Sequence, residues 1–157
     1  MSSPARGNVD LARVRFYVDE DLAGLGLGLM RLRPGDLVVA SHPPIDELVP
    51  RDDLDWIPAV AARGWVAITN DKHIRTGPRE AVAAIEAGLR CVHLAPEQRN
   101  ATRWDFACLL LRHWKPVEDL CHRPGPVWLQ LDRRPTPRER PYQPGKPPRL
   151  PSADRRA

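Results

Sequence analysis

The chain has little of what secreted, zinc-stapled or membrane-spanning proteins need. Cysteine is scarce: Cys91, Cys108 and Cys121 are odd in number, widely spaced and form no C-x-x-C pair. That speaks against a disulfide framework and against a structural zinc site. No apolar run approaches the ~18–20 residues needed to cross a bilayer, so no membrane is expected among the partners. The opening residues carry no basic segment followed by an apolar one. No secretory leader is therefore expected, and the cytoplasm is the expected compartment.

What is present suits one domain around one core: 157 residues, of which 42% are hydrophobic. Charge is unevenly spread. The net charge is +4, yet from Arg133 onward eight Lys and Arg face two Asp and Glu, leaving 16 against 18 before it. The basic character belongs to the C-terminal end, where seven of the 18 prolines also lie. Such a segment, without apolar period, reads as a disordered basic Pro-rich tail facing a polyanion. The expected organisation is a flexible N-terminus over 1–13, a folded domain over 14–132 and the tail over 133–157.

Apolar runs of strand length are expected at 14–18, 37–40, 65–69, 91–94 and 126–131. Between them, helices are expected at 22–32, 52–63, 78–87 and 102–120, the third opening on Pro78 and closing on Gly88. The first would bury Leu22, Leu25, Leu29 and Leu32. Its Gly24, Gly26 and Gly28 weaken it but permit close packing on a sheet. They sit inside the apolar repeat rather than in a turn before it, which argues against a dinucleotide-binding loop. The stretch 41–51 shows no clear element. Alternation of strands and helices implies a three-layer α/β/α sandwich with a mainly parallel central sheet.

Two strands end in carboxylates: Val14–Val18 in Asp19-Glu20-Asp21, and Trp65–Thr69 in Asn70-Asp71-Lys72. In open α/β sheets ligands bind outside the carboxyl ends of the strands. A right-handed crossover returns the intervening helix antiparallel to the strands. Asp53 and Asp55, at that helix's start, therefore reach the same edge. Clustered carboxylates repel one another unless a cation neutralises them. Oxygen ligands without matching Cys or His suit Mg²⁺ or Mn²⁺, and such a centre activates water against a phosphodiester. The plain alternative is that these residues are helix caps and turn formers.

Three segments together, Phe16-Tyr-Val-Asp-Glu-Asp-Leu22, Asp53-Leu-Asp-Trp-Ile57 and Gly64-Trp-Val-Ala-Ile-Thr-Asn-Asp-Lys72, resemble the PIN-like domains. That family includes the toxin ribonucleases of toxin–antitoxin pairs. The resemblance runs over about 14–131. It implies Mg²⁺- or Mn²⁺-dependent hydrolysis of RNA, with Asp19, Asp53 and Asp71 as catalytic metal ligands and Asp55 and Glu20 as further candidates. The implied partners are RNA, a cognate antitoxin protein and a second copy of the chain in a homodimer. One position departs from the pattern: many members carry another acidic residue after the one matching Asp71, where this chain has His73.

Lys72, Arg75 and Arg79 follow the acidic edge and are candidate substrate-phosphate contacts. Trp56, Trp65, Trp104 and Trp114 read as packing residues, His113 as helix surface, and Tyr142 as a stacking candidate within the tail. A second reading is a PIN-like module that binds RNA or protein without cleaving. A third is a phosphorylated receiver, with Asp71 as acceptor. Strand 91–94, however, ends in Leu94-Ala95 without the lysine a receiver needs.

Overall fold

The computed structural model describes residues 9–147. Strands buried on both faces have no need of alternating polarity, and five near-continuous apolar runs take that role here. They are β1 (Phe16–Val18), β2 (Leu37–Val39), β3 (Val66–Thr69), β4 (Arg90–Leu94) and β5 (Val127–Leu131). All five are parallel, and β6 (Arg138–Arg140) joins β5 antiparallel, giving the order β2-β1-β3-β4-β5-β6. Register pairs Val18 with Ile68, so the chain leaves β1 and β3 at the same edge.

Helices cover both faces. On one side lie α1 (Ala23–Leu32), α6 (Arg103–Arg112) and α7 (Trp114–Asp119), packing Leu25, Leu29, Leu110 and Val117 on Phe16, Val18, Ile68 and Val92. On the other lie α2 (Ile45–Leu48), α3 (Asp53–Ala62), α4 (His73–Thr76) and α5 (Glu80–Ala87). These bring Ile45, Trp56, Ile57, Ile74 and Ala84 to Tyr17, Ala67 and Cys91. The result is the three-layer sandwich with a mainly parallel sheet. Among the described residues no helix is long and apolar enough to cross a membrane.

Local chemistry sets the boundaries. Asp52 caps α3, its Oδ1 accepting the Leu54 N–H at 3.0 Å. Gly88 ends α5 in the left-handed conformation, at φ 69°. Within α1 the glycines differ. A Cβ on Gly26 would stand 2.7 Å from Val39 Cγ2 and 3.0 Å from Val18 Cγ1, so its absence lets the helix lie on β1 and β2. Gly28 faces open space.

Several expectations are corrected. The stretch expected to lack structure contains the short α2, and the short α4 precedes α5, which begins at Glu80 rather than Pro78. The single helix expected over 102–120 is two. Pro116 stands third in α7, and in an unbroken helix its ring would meet the Arg112 carbonyl; the chain turns at His113 instead. That turn carries His113 inward, to 4% exposure, rather than leaving it on the surface. Leu32 and Trp104, expected to be buried, are 73% and 75% exposed.

The tail is corrected most. Its described part, 133–147, is built onto the domain. Arg140, Glu139 and Arg138 pair with Trp128, Leu129 and Gln130. Tyr142 meets the Trp128 ring edge-on at 5.8 Å, and its hydroxyl donates to the carbonyls of Leu89 (2.8 Å) and Val127 (3.1 Å). Tyr142 is thus a packing residue, not a stacking platform. Gln143 N–H and Gly145 N–H donate to the Arg75 and Thr76 carbonyls of α4 at 2.9 and 2.8 Å. Backbone pairing and one aromatic anchor order a segment whose composition suggests none. Residues 148–157 of the expected tail and 1–8 of the expected flexible N-terminus lie outside the described residues.

Candidate active site

Asp19 leaves β1 with its backbone N–H already donated to the Ile68 carbonyl of β3 (2.9 Å). Its side chain is largely buried. Oδ1 accepts the Glu20 N–H at 2.7 Å and Oδ2 the Thr69 hydroxyl at 2.9 Å. Thr69, the last residue of β3 and fully buried, also accepts the Asp71 N–H on Oγ1 at 3.0 Å. Asp71 Oδ1 accepts the His73 N–H at 2.8 Å, which closes the turn into α4. Asp21 reaches across, its Oδ2 accepting the Asn70 N–H at 3.0 Å. Asp53, in the first turn of α3, accepts the Trp56 indole N–H on Oδ1 at 2.8 Å.

Burial first, and then the neighbouring carboxylates, push Asp19, Asp21 and Asp53 above the ordinary carboxylate range. Burial raises Asp19, Thr69 and Glu20 N–H hold it back, and Asp53 and Asp71 raise it further. Burial, then Asp19, pushes Asp21 up to about 7. Burial also raises Asp53, assisted by Asp71, Glu80 and Asp52. Tyr17, beneath the edge and 5.3 Å from Trp56, is raised by burial and then by Asp19 and Glu20. Asp19, Asp21, Asp53 and Asp71 therefore share one electrostatic neighbourhood.

The other expected residues separate. Asp55 is exposed on α3 and makes no side-chain contact with the edge among the described residues. Glu20 turns outward to accept the Ser41 hydroxyl at 3.3 Å. Lys72 and Arg79 are exposed. Arg75 is only partly available, since its Nη1 donates to the Pro141 carbonyl at 3.2 Å. Two participants escaped the sequence reading. Asp21 lay in the acidic run but was not assigned a role, and Thr69 resembles any β-branched strand residue until its register beside Asp19 is known. His93 joins them from β4, its Nε2 donating to the Asn70 carbonyl at 3.3 Å. Burial, then Arg75 and Arg140, lower its pKa.

All four edge carboxylates offer hard oxygen donors, the chemistry Mg²⁺ and Mn²⁺ select. Among the described residues no group of three or more His, Cys, Asp or Glu is gathered closely enough to hold a metal ion. The donor set fits a hard divalent cation by chemistry and by its unneutralised charge: Asp53 Oδ2, Asp71 Oδ2 and Asp21 Oδ1 accept no hydrogen bond among the described residues.

Comparison with known proteins places this edge in a family. The profile of the PIN-like domain matches residues 14–96. No curated protein and no solved structure matches the chain. The matched segment spans more than half of the sequence and contains all four carboxylates of the edge; the chain belongs to the PIN-like domain family.

Proposed function

We propose that this protein is an endoribonuclease that hydrolyses RNA phosphodiesters with Mg²⁺ or Mn²⁺. The observation that carries the reading is the meeting of Asp19, Asp21, Asp53 and Asp71 at the carboxyl edge of β1 and β3, within a PIN-like domain. PIN domains are generally nucleases, and the acidic edge is the part of this chain suited to that chemistry.

Asp19, Asp53 and Asp71 would hold the ion, with Glu20 and Asp55 as outer candidates. A bound divalent ion supplies Lewis-acid activation of water and neutralises charge on the scissile phosphate. The protein's own contributions are positional. Thr69 fixes Asp19 through its hydroxyl and Asp71 through the backbone N–H it accepts, so both acids move with the end of β3. The Trp56 indole holds Asp53 toward the edge. Asp21 Oδ2 is engaged by Asn70, whereas its Oδ1 has no protein donor among the described residues. That free oxygen leaves Asp21 placed to take the proton of an attacking water. Lys72 and Arg79 stand ready for substrate phosphate, with Arg75 behind them.

A toxin role, with a cognate antitoxin protein as partner and a cytoplasmic site of action, is the finer form of this reading and rests on the family resemblance. A second reading, an RNA- or protein-binding module that does not cleave, is favoured by His73 and by the dispersed carboxylates. Calorimetric titration of Mn²⁺ into wild type and Asp71→Asn, with single-stranded RNA cleavage on the same samples, decides between them. Loss of both metal binding and cleavage in the variant supports the nuclease. Metal binding without cleavage by the wild type supports the binding module. No metal binding by the wild type leaves the carboxylates as caps and turns.

A further inference from the structure

Beside the acidic edge, α1 and the start of α6 enclose a cavity of about 290 Å³ lined by Glu20, Asp21, Gly24, Leu25, Arg103 and Phe106. One wall is therefore the edge itself and the opposite wall carries a cation. The Arg103 guanidinium lies across Gly24: a Cβ there would stand 2.5 Å from Nε and 2.6 Å from Cζ. The bare glycine makes room for it.

Arg33, Arg123, Arg133 and Arg138 each find a carboxylate, but Arg103 pairs with none among the described residues. It lines the same cavity as Glu20 and Asp21 without forming an ion pair with either. As the first residue of α6 it also opposes the helix dipole, which favours acids there. The Thr102–Asp105 capping box already satisfies that terminus without it. An unpaired guanidinium on the wall of a cavity suits a phosphate, to which it can donate two parallel hydrogen bonds. Phe106 and Leu25 offer an apolar wall to the sugar or base attached to that phosphate.

We infer that this cavity is a subsite for one nucleotide of a single-stranded RNA, with Arg103 binding the phosphate next to the scissile one. The inference rests on the ribonuclease reading and deepens it, since it states where the strand runs: from the acidic edge over Gly24 toward α6. That path leads away from Lys72, Arg75 and Arg79 on the opposite side of the edge. Arg103 is a substrate-binding residue in this arrangement and takes no part in holding metal.

The test is binding of a short fluorescein-labelled oligouridylate to wild type, Arg103→Gln and Arg103→Lys, followed by anisotropy in EDTA across a salt series. Cleavage by wild type with Mn²⁺ and Mn²⁺ calorimetry on all three proteins run in parallel. The expected result is an affinity about ten-fold lower for Arg103→Gln, with the slope of log affinity against log salt reduced by about one. Arg103→Lys should recover the slope while falling short of full affinity, and Mn²⁺ binding should be unaltered in both. If wild type binds and cleaves while Arg103→Gln keeps its affinity and slope, the subsite is wrong and the nuclease reading stands. If wild type neither binds nor cleaves the RNA, the nuclease reading fails and the subsite with it.

Discussion

Thr69 Oγ1 lies 2.9 Å from Asp19 Oδ2 and ties the end of β3 to the acid at the end of β1. It serves Asp71 as well, by accepting that residue's N–H at 3.0 Å. Thr69→Val keeps the strand's shape and removes both bonds. It should cost about 2 kcal/mol of stability, because a buried carboxylate oxygen and a backbone N–H lose their partner. Urea denaturation measures that cost. Mn²⁺ affinity should fall in the same variant, and an unaltered affinity would show that Thr69 is structural only.

The acidic edge makes stability depend on pH in an unusual direction. Asp21 is raised to about 7 in the folded protein from an ordinary value of 3.8, chiefly by burial. A raised folded-state value means stability that is present below the unfolded pKa and lost as pH climbs through the folded one. Buried His93, lowered in the fold, works the other way and removes stability as pH falls below about 6.5. The difference in Tm between Asp21→Asn and wild type, measured in EDTA, isolates Asp21. It should grow in favour of the variant from about pH 4 to pH 7. A constant difference would show that Asp21 ionises normally.

Two glycines of α1 should respond oppositely to alanine. Gly28 faces open space, so Gly28→Ala should add about 1 kcal/mol through helix propensity alone. Gly26→Ala should destabilise by about 1–3 kcal/mol, because its methyl would meet Val39 and Val18 of the sheet, which cannot recede. Chemical denaturation of the two variants side by side checks the pair, and equal signs would contradict the packing described.

The C-terminal segment should prove structural. Tyr142→Phe retains the ring against Trp128 and removes one hydroxyl from two carbonyls, at a cost of about 1 kcal/mol. Truncation after Asp132 removes β6 and the bonds to Arg75 and Thr76 together, so Tm should fall well beyond the effect of Tyr142→Phe. A truncated protein with wild-type Tm would restore the view of this segment as a separate tail.

The layered fold and the strand ends were legible because parallel strands announce themselves as apolar runs, and Asp19 and Asp71 stop those runs abruptly. Asp53 was legible through the crossover rule. Thr69 was not, since its role depends on register with β1, which no local pattern encodes. Composition misled at the C-terminus. Proline and arginine hide that Glu139 and its neighbours need only backbone groups to pair with β5. His113 turned inward because Pro116 interrupts a helical period that seemed continuous, whereas Trp104 lies off the α6 face that carries Leu109 and Leu110.

The bonds from Gln143 and Gly145 to α4 give the order of residues along the chain a meaning in time. Every carboxylate of the edge lies within the family-matched 14–96, and ribosomal synthesis delivers them early. The helix that follows Asp71, already anchored by buried Ile74, gains its last hydrogen bonds from residues near 145, among the last of the described chain to emerge. The surroundings of the acidic edge therefore gain their last hydrogen bonds only as synthesis of the described chain nears its end.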